Sequence, residues 1–448
     1  MKKILIVVDH KHRDLASLSH IGYHLEKRGF EVSYCAVWKE THKIKNFCPD
    51  VVVLPKPIYR NYSVAEWRLS KKRIVVVDVE GNLQSKNFGF LAPKIYPDLY
   101  FYWNDIFFKK QQDHFIRYKN HLSGEIPKMM IIGCPRIDFH HRSFKKYFEP
   151  KDKILSRLRL SNKKTIITIS TVSGNADMSM NDREVMQSKL NLRNTNPYNF
   201  HMQADNCLKL REITIELLKE FVTSKNLQIV IKPHPNENPE FWEKSIKKNN
   251  FNFVRIMKGE PIESLLNISD IHISHNVCTT TFEAMLRGIP ALEIQTKASK
   301  SLYAKKDLDL PLYSSDSSNK LARKTFEILD DYKNHSTLSS KKGEIFCKKY
   351  YGDFDGKRCE TYAEKIAVFS QMPFKEINFL EKFNLIALII YEKLLVPNLV
   401  RIRNFSIQNS IQRFKDIFSS KTIEDSYSRY DKDYTEGDEK YWYEKFKQ

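Results

Sequence analysis

The stretch Ile229-Val-Ile-Lys-Pro-His-Pro235 sets how the rest of the chain reads. Leu227, Ile229, Val230 and Ile231 form the short apolar run of a buried parallel strand. The run stops at Pro233, because proline has no N–H to continue a sheet ladder. His234 therefore falls just past the carboxyl end of a strand, with Lys232 beside it. In open α/β sheets that edge is where ligands bind.

The same pattern repeats on both sides. Upstream, Met1-Lys-Lys-Ile-Leu-Ile-Val-Val-Asp9 is a first strand, followed by a helix with Leu18, Ile21 and Leu25 on one face and a stop at Gly29. Further strands are expected at 30–37, 49–54, 73–78, 99–103 and 128–133. Strand and helix in alternation predict a doubly wound sheet. A lysine-rich stretch after Asp138 reads as a linker. A second α/β half begins at Thr165-Ile-Ile-Thr-Ile-Ser-Thr171, with strands leading to His234, at 252–256, at 270–274 and at 290–294. Helices are expected at 208–223, 261–266, 282–287, 319–331 and 358–370. Residues 173–203 are polar and read as a mobile surface insertion. The expected organisation is 1–140, a linker at 141–164, a second domain at 165–372 and a helical tail at 373–448.

Composition narrows the classes. A chain of 448 residues, 41% hydrophobic and 12% aromatic, is globular and long enough for two or three domains. Its net charge of +20 points to an anionic partner: phosphorylated substrates or an anionic membrane surface. The lysines are scattered and no nucleic-acid motif is present, so nucleic acid is not expected. Seven widely spaced cysteines without a CxxC pair argue for a reducing, cytoplasmic compartment and against a zinc site. The first apolar run is too short for a signal peptide. No run reaches the roughly 18 apolar residues a membrane span needs. The tail joins an interrupted apolar stretch, 379–400, to basic Arg401–Lys415, and closes on a Tyr- and acid-rich end expected to be mobile. Apolar followed by cationic suits a peripheral membrane contact; a helix packed back on the body is the plainer alternative.

Three segments of the second half end at one sheet edge: Ser170-Thr171, Lys232-Pro-His234 and residues 274–281. The last holds Ser274, His275, Asn276, Thr279, Thr280 and Thr281 where a strand passes into a helix. A helix N-terminus offers free N–H groups and partial positive charge, which suits phosphate. Glu283, one turn in, complements the dipole or accepts from a ribose diol. In the first half no GxGxxG follows the first strand, which argues against a dinucleotide site. His12, Arg13 and Asp14 follow that strand, and Glu80-Gly81-Asn82 follows the strand ending near Asp78. Asp14 as a helix cap and Glu80 in a simple turn are the plainer readings.

These residues carry a resemblance. Lys232-Pro-His-Pro235, Ser269-Asp270, the segment 274–281 with Glu283-Ala284, and Gly288-Ile-Pro290 look like the donor half of GT-B glycosyltransferases. More narrowly the chain resembles the bacterial surface carbohydrate biosynthesis proteins. It is also similar to the His-Pro-motif sialyl- and Kdo-transferases and to the CDP-glycerol glycerophosphotransferases. Arg13-Asp14, Glu80-Gly81, Trp103, Gly133-Cys-Pro-Arg136-Ile-Asp138 and Asp355-Gly356-Lys357 agree, so the resemblance covers about residues 1–370. It departs from the family at 173–203 and at His275-Asn276.

The resemblance implies a GT-B fold, two Rossmann-like domains facing across a cleft, with the helical extension added. It implies a nucleotide-activated sugar as substrate, CMP-linked among the options, no cofactor and no metal. Ser170, Thr171, Lys232, His234, Ser274, His275, Asn276, Thr279, Thr280, Thr281 and Glu283 would surround the donor. Asp14 or Glu80 would be the general base, His12 a weaker candidate, and His234 would assist phosphate departure. The expected activity is glycosyl transfer to a glycan or lipid-linked acceptor in capsule or lipopolysaccharide synthesis, at the inner face of the cytoplasmic membrane. Polyol-phosphate transfer from a CDP donor, UDP-sugar 2-epimerisation and a non-catalytic GT-B-like scaffold are the alternatives.

Overall fold

The computed structural model describes residues 1–37, 39–56, 61–79, 95–118, 128–191, 199–235, 237–276, 278–302, 305–374, 376–391 and 436–447. The chain divides into two units. The first takes the described residues of Met1–Glu80, Phe90–Ile132 and Glu360–Glu444; the second takes those of Gly133–Cys359 and Lys445–Gln448.

Six strands build the sheet of the first unit: β1 (Lys3–Val8), β2 (Glu31–Ala36), β3 (Val51–Leu54), β4 (Arg73–Val77), β5 (Leu99–Tyr102) and β6 (Lys128–Ile131). All pair in parallel, in the order β2-β1-β3-β4-β5-β6. β1, β3 and β4 are almost wholly aliphatic and buried, as strands covered on both faces must be. The chain returns to this unit through the Arg358–Gln371 helix. Tyr362 packs edge-on against Phe101 at 4.8 Å, and the Arg73 guanidinium donates to the Phe369 carbonyl at 2.9 Å.

The second unit has β7 (Thr165–Ser170), β8 (Leu227–Lys232), β9 (Val254–Ile256), β10 (Ile271–His275), β11 (Ala291–Ile294) and β12 (Tyr313–Ser315). They too are all parallel, in the order β12-β11-β10-β7-β8-β9. This is the doubly wound Rossmann order, with its direction reversing between β7 and β10. One face of the sheet packs Ile167, Ile169, Ile229, Ile231, Ile271 and Ile273 against the Phe200–Phe221 and Ser318–Asp330 helices. The other packs Ile166 and Val230 against Ile154, Leu155, Leu265 and Ile268.

The structure departs from the sequence expectation in four places. The division falls at Gly133, not at residue 140, and the stretch read as a linker is part of the second unit. Its apolar residues hold it there: Phe139 lies 5.0 Å from Phe144, and Ile154 and Leu155 enter the core. Residues 173–203 are largely helical rather than an open insertion, with helices at Met180–Asn191 and from Phe200 onward. Asn199 caps the second of these by accepting from Met202 N–H, and Arg183 bridges to Asp205 at 2.9 Å. The chain end forms a helix, Glu436–Lys447, with Trp442 and Phe446 buried. The Tyr332–Tyr350 helix and β12 have no counterpart in the sequence reading. The basic stretch Arg401–Lys415 lies outside the described residues.

Gly343 explains why the Tyr332–Tyr350 helix comes so near the Thr279–Leu286 helix. A Cβ on Gly343 would lie 2.9 Å from the Met285 carbonyl carbon. Alanine in mid-helix normally gains about 1 kcal/mol over glycine. Here overpacking of roughly 1–3 kcal/mol outweighs that gain. Gly343→Ala should therefore lower the denaturation midpoint; an unchanged or higher midpoint would contradict the close crossing.

Candidate functional site

The second sheet reverses its winding between β7 and β10, and the candidate residues gather at the carboxyl ends there. Ser170 is in register with Lys232 on one side and Ser274 on the other. Side chains alternate along a strand, so these three point to one face of the sheet. The Thr279–Leu286 helix starts just beyond β10, with Thr279 and Thr280 half-exposed. The Ser170 hydroxyl is buried and has no hydrogen-bond partner among the described residues. Lys232 donates its ammonium to the Glu260 carbonyl. His234 is half-exposed, and its backbone N–H meets Glu237 Oε1 at 3.3 Å.

Glu237 is absent from the sequence reading, yet it organises this edge. Its buried carboxylate accepts from Ser173 N–H at 2.7 Å, Ser173 Oγ at 2.7 Å, Thr171 Oγ1 at 2.9 Å and Trp242 Nε1 at 3.1 Å. The loops after β7 and β8 are thus tied to one carboxylate. Arg211 extends the tie, donating to Ser173 Oγ at 3.0 Å and bidentately to Asp177 at 2.6 and 2.7 Å. A signal for both was available. Glu237 stands three residues after His234, and Arg211 occupies the stripe of Cys207, Leu210 and Thr214 that the helix buries.

The hydroxyl-rich segment separates into surface and support. Thr281 Oγ1 lies 2.6 Å from Ser274 Oγ and donates to the buried Glu293 carboxylate at 2.5 Å. His275 faces the opposite side of the sheet. Its Nδ1 accepts from Val172 N–H at 3.1 Å, so its proton resides on Nε2 and reaches Thr214 Oγ1 at 2.7 Å. That hydroxyl passes its own proton to the Leu210 carbonyl at 2.8 Å. Burial, aided by Arg211, lowers the His275 ring to about 3, so it is neutral. Asn276 adopts φ +29 and accepts from Ser299 Oγ. Thr280 Oγ1 meets the buried His272 ring at 3.0 Å.

Glu283 points into a buried charged cluster. Its Oε1 lies 3.2 Å from Arg136 and 3.8 Å from His140 Nε2, which is 3.7 Å from Glu263. Arg287 donates to His140 Nδ1 at 3.1 Å and to Asn267 at 2.7 Å. Burial pushes the Glu283 carboxyl up to about 7 against the pull of Arg136, with Glu263 pushing the same way. Burial also raises Glu263 and holds His140 well below its usual range.

In the first unit the sheet reverses between β1 and β3. Asp14 sits there in a helical turn, Lys11–Leu15, and is buried. Its oxygens accept from Arg13 at 2.5 and 2.8 Å and from His10 N–H at 3.1 Å. Arg13 and Lys56 both reach Asp9, at 3.1 and 3.3 Å. His12, half-exposed, donates its backbone N–H to His10 Nδ1 at 3.2 Å. Glu80 lies outside the described residues.

Two all-parallel Rossmann-like units define the GT-B fold class. Solved structures agree on the fold. The chain is similar to a UDP-N-acetylglucosamine 2-epimerase from Listeria monocytogenes described as putative (14% identity, 85% of this chain and 100% of that chain, TM-score 0.51). It is similar to the wall teichoic acid polymerase TagF (13% identity, 83% and 89%, TM-score 0.50) and to MnaA of S. aureus in complex with UDP (12% identity, 84% and 99%, TM-score 0.50). The sequence matches no protein-family model and no curated protein.

Two tests follow from this geometry. Glu237→Gln replaces an acceptor oxygen with an NH₂ that clashes with one of the donors. Leaving buried donors unmatched costs about 1–3 kcal/mol, and thermal denaturation should show that loss. An unchanged midpoint would remove Glu237 from its role. Glu283 supplies a pH test. Its folded pKa of about 7 lies above the unfolded value near ~4.3, so the native state binds the extra proton. That contribution is present at acid pH and is lost as pH rises through about 7. In Glu283→Gln the fall in stability between those limits should be shallower, by up to about 1.4 kcal/mol per pH unit at its steepest. Identical slopes would contradict the assignment.

Proposed function

We propose that the chain is a transferase that takes a group from a nucleotide-activated donor and holds the donor phosphate at the carboxyl ends of β7, β8 and β10. The observation that carries this reading is Ser170. Its hydroxyl is buried at the strand reversal without a partner among the described residues, on the face shared by Lys232 and Ser274. A polar group left so costs about 1–3 kcal/mol, and an oxyanion ligand would recover it. The helix start at Thr279 adds N–H donors and its dipole.

In this reading Lys232 and His234 stabilise the charge that gathers on the leaving phosphate. The acceptor hydroxyl oxygen forms the new bond to the anomeric carbon as the bond from that carbon to the phosphate oxygen breaks. The electron pair leaves with the phosphate, and the hydroxyl proton passes to a carboxylate acting as general base. Asp14 and Glu80 are the candidates for that base; Arg13 and the His10 N–H engage both Asp14 oxygens. Thr171, Ser274, His275, Asn276 and Thr281 act as supports behind the donor contacts. The acceptor is a glycan or a lipid-linked precursor of a bacterial surface polysaccharide.

Thermal shifts with CMP, CDP, UDP and GDP test the site and its nucleotide together. A ligand at a hundred times its Kd stabilises the native state by about 2.7 kcal/mol. Ser170→Val should reduce the shift. His234→Ala should lower turnover by about a hundredfold or more while the fold persists. If no nucleotide moves the midpoint, the reading fails and a scaffold role takes its place. Turnover of a UDP-sugar without any acceptor would replace transfer by epimerisation. Polyol phosphate passed from a CDP donor to an acceptor hydroxyl, with CMP released, would point to phosphotransfer.

A further inference from the structure

The helix Phe379–Ile390 presents an apolar face that stays exposed among the described residues. Asn378 caps it, accepting from Glu381 N–H at 2.8 Å. One side anchors it: Leu385 is fully buried and the helix packs against Asn61–Leu69 of the same unit. The other side carries Phe379 (85% exposed), Leu380 (67%), Phe383 (61%), Ile386 (48%) and Ile390 (48%). At 100° per residue these five fall within about one third of a turn. Soluble surfaces rarely gather large side chains this way.

What covers the face can be argued from size and charge. A stable protein interface takes roughly 20–30 residues a side, and this patch offers five. Among the described residues no helix is long and apolar enough to cross a membrane. An apolar strip of this size instead suits a helix lying in the plane of a bilayer surface. Charge agrees. Lys382 is exposed on the same helix, and the sequence continues through Lys393, Arg401, Arg403, Arg413 and Lys415 with only Glu392 and Asp416 as acids. The whole chain carries +20. Two weak signals, a shallow apolar contact and a polybasic stretch, together give stable surface binding.

We propose that the Phe379–Ile390 helix docks this protein on an anionic lipid surface, its Phe379, Phe383, Ile386 and Ile390 side chains entering the headgroup boundary. The proposal is independent of the donor site. The test is co-sedimentation of the full chain with vesicles of phosphatidylcholine alone and of phosphatidylcholine with phosphatidylglycerol. The wild type should bind the mixed vesicles and leave the neutral ones largely unbound. Phe383→Glu combined with Ile390→Glu should weaken binding to the mixed vesicles by at least about tenfold. Both positions are exposed, so circular dichroism and the nucleotide-induced thermal shift should stay as in the wild type. Wild-type vesicle binding by the double variant overturns the proposal, and so does a wild type that binds no vesicle. A wild-type dimer in solution that the variant converts to monomer also overturns it, assigning the face to a second copy.

Discussion

One carboxylate holds the carboxyl edge of the second sheet together. A buried glutamate is costly unless hydrogen bonds replace its water. Glu237 meets that condition with donors from the segments that follow two neighbouring strands: Ser173 and Thr171 after β7, His234 and Trp242 after β8. Arg211 reaches the same hub through Ser173 and stacks its guanidinium on Phe241 at 4.0 Å. His275 fixes Val172 from the third side. The loops bearing Ser170 and His234 are therefore set before any ligand arrives, which is the condition for a site to favour one geometry.

The charged cluster around Glu283 obeys a different balance. Two glutamates, two arginines and a neutral imidazole are enclosed together, so formal charge cancels within the group. Hydrogen bonding does not cancel as well. Arg287 donates to His140 Nδ1, which leaves the proton on Nε2, and Nε2 stands 3.7 and 3.8 Å from the two glutamates. Those distances exceed a hydrogen bond. Among the described residues, His140 Nε2 and Glu263 Oε2 both lack a hydrogen-bond partner. The raised carboxyls follow from that shortfall: the arginines supply attraction, but desolvation outweighs it.

The layout of the fold was legible because aliphatic runs in a parallel sheet are dense and proline or glycine ends them. β7, β8 and β10 came from such runs, and with them the sheet edge and His234. Strand order was not legible, since nothing local to a strand names its neighbour; the reversal between β7 and β10 appears only in the pairing. The polar stretch 173–203 read as open loop because the Met180–Asn191 helix lacks an apolar stripe and only the first turn of the Phe200–Phe221 helix falls within it. Their stability comes from a cap at Asn199 and the Arg183–Asp205 bridge, both set by contacts distant in sequence or three residues off. Glu237 and Arg211 are a related case: their positions, three residues after His234 and on a buried helix stripe, are legible, but the buried donors and acceptors that give them their role are not.

Residues 274–281 show where local rules would have said more. Read as one hydroxyl-rich loop, they offered six equivalent contacts. Period-two alternation from Ile271 assigns His275 to the face of Ile271 and Ile273, the face that the Phe200–Phe221 helix covers. Its bond to Thr214 on that helix is the consequence. Ser274 falls on the other face with Ser170. Once the helix begins at Thr279, each residue turns by 100°, so three consecutive threonines cannot share one direction. Thr281 turns inward to Ser274 and Glu293, while Thr279 and Thr280 stay half-exposed. The segment is therefore a wall two residues deep, with the helix start in its outer layer and the histidine behind it serving as a brace.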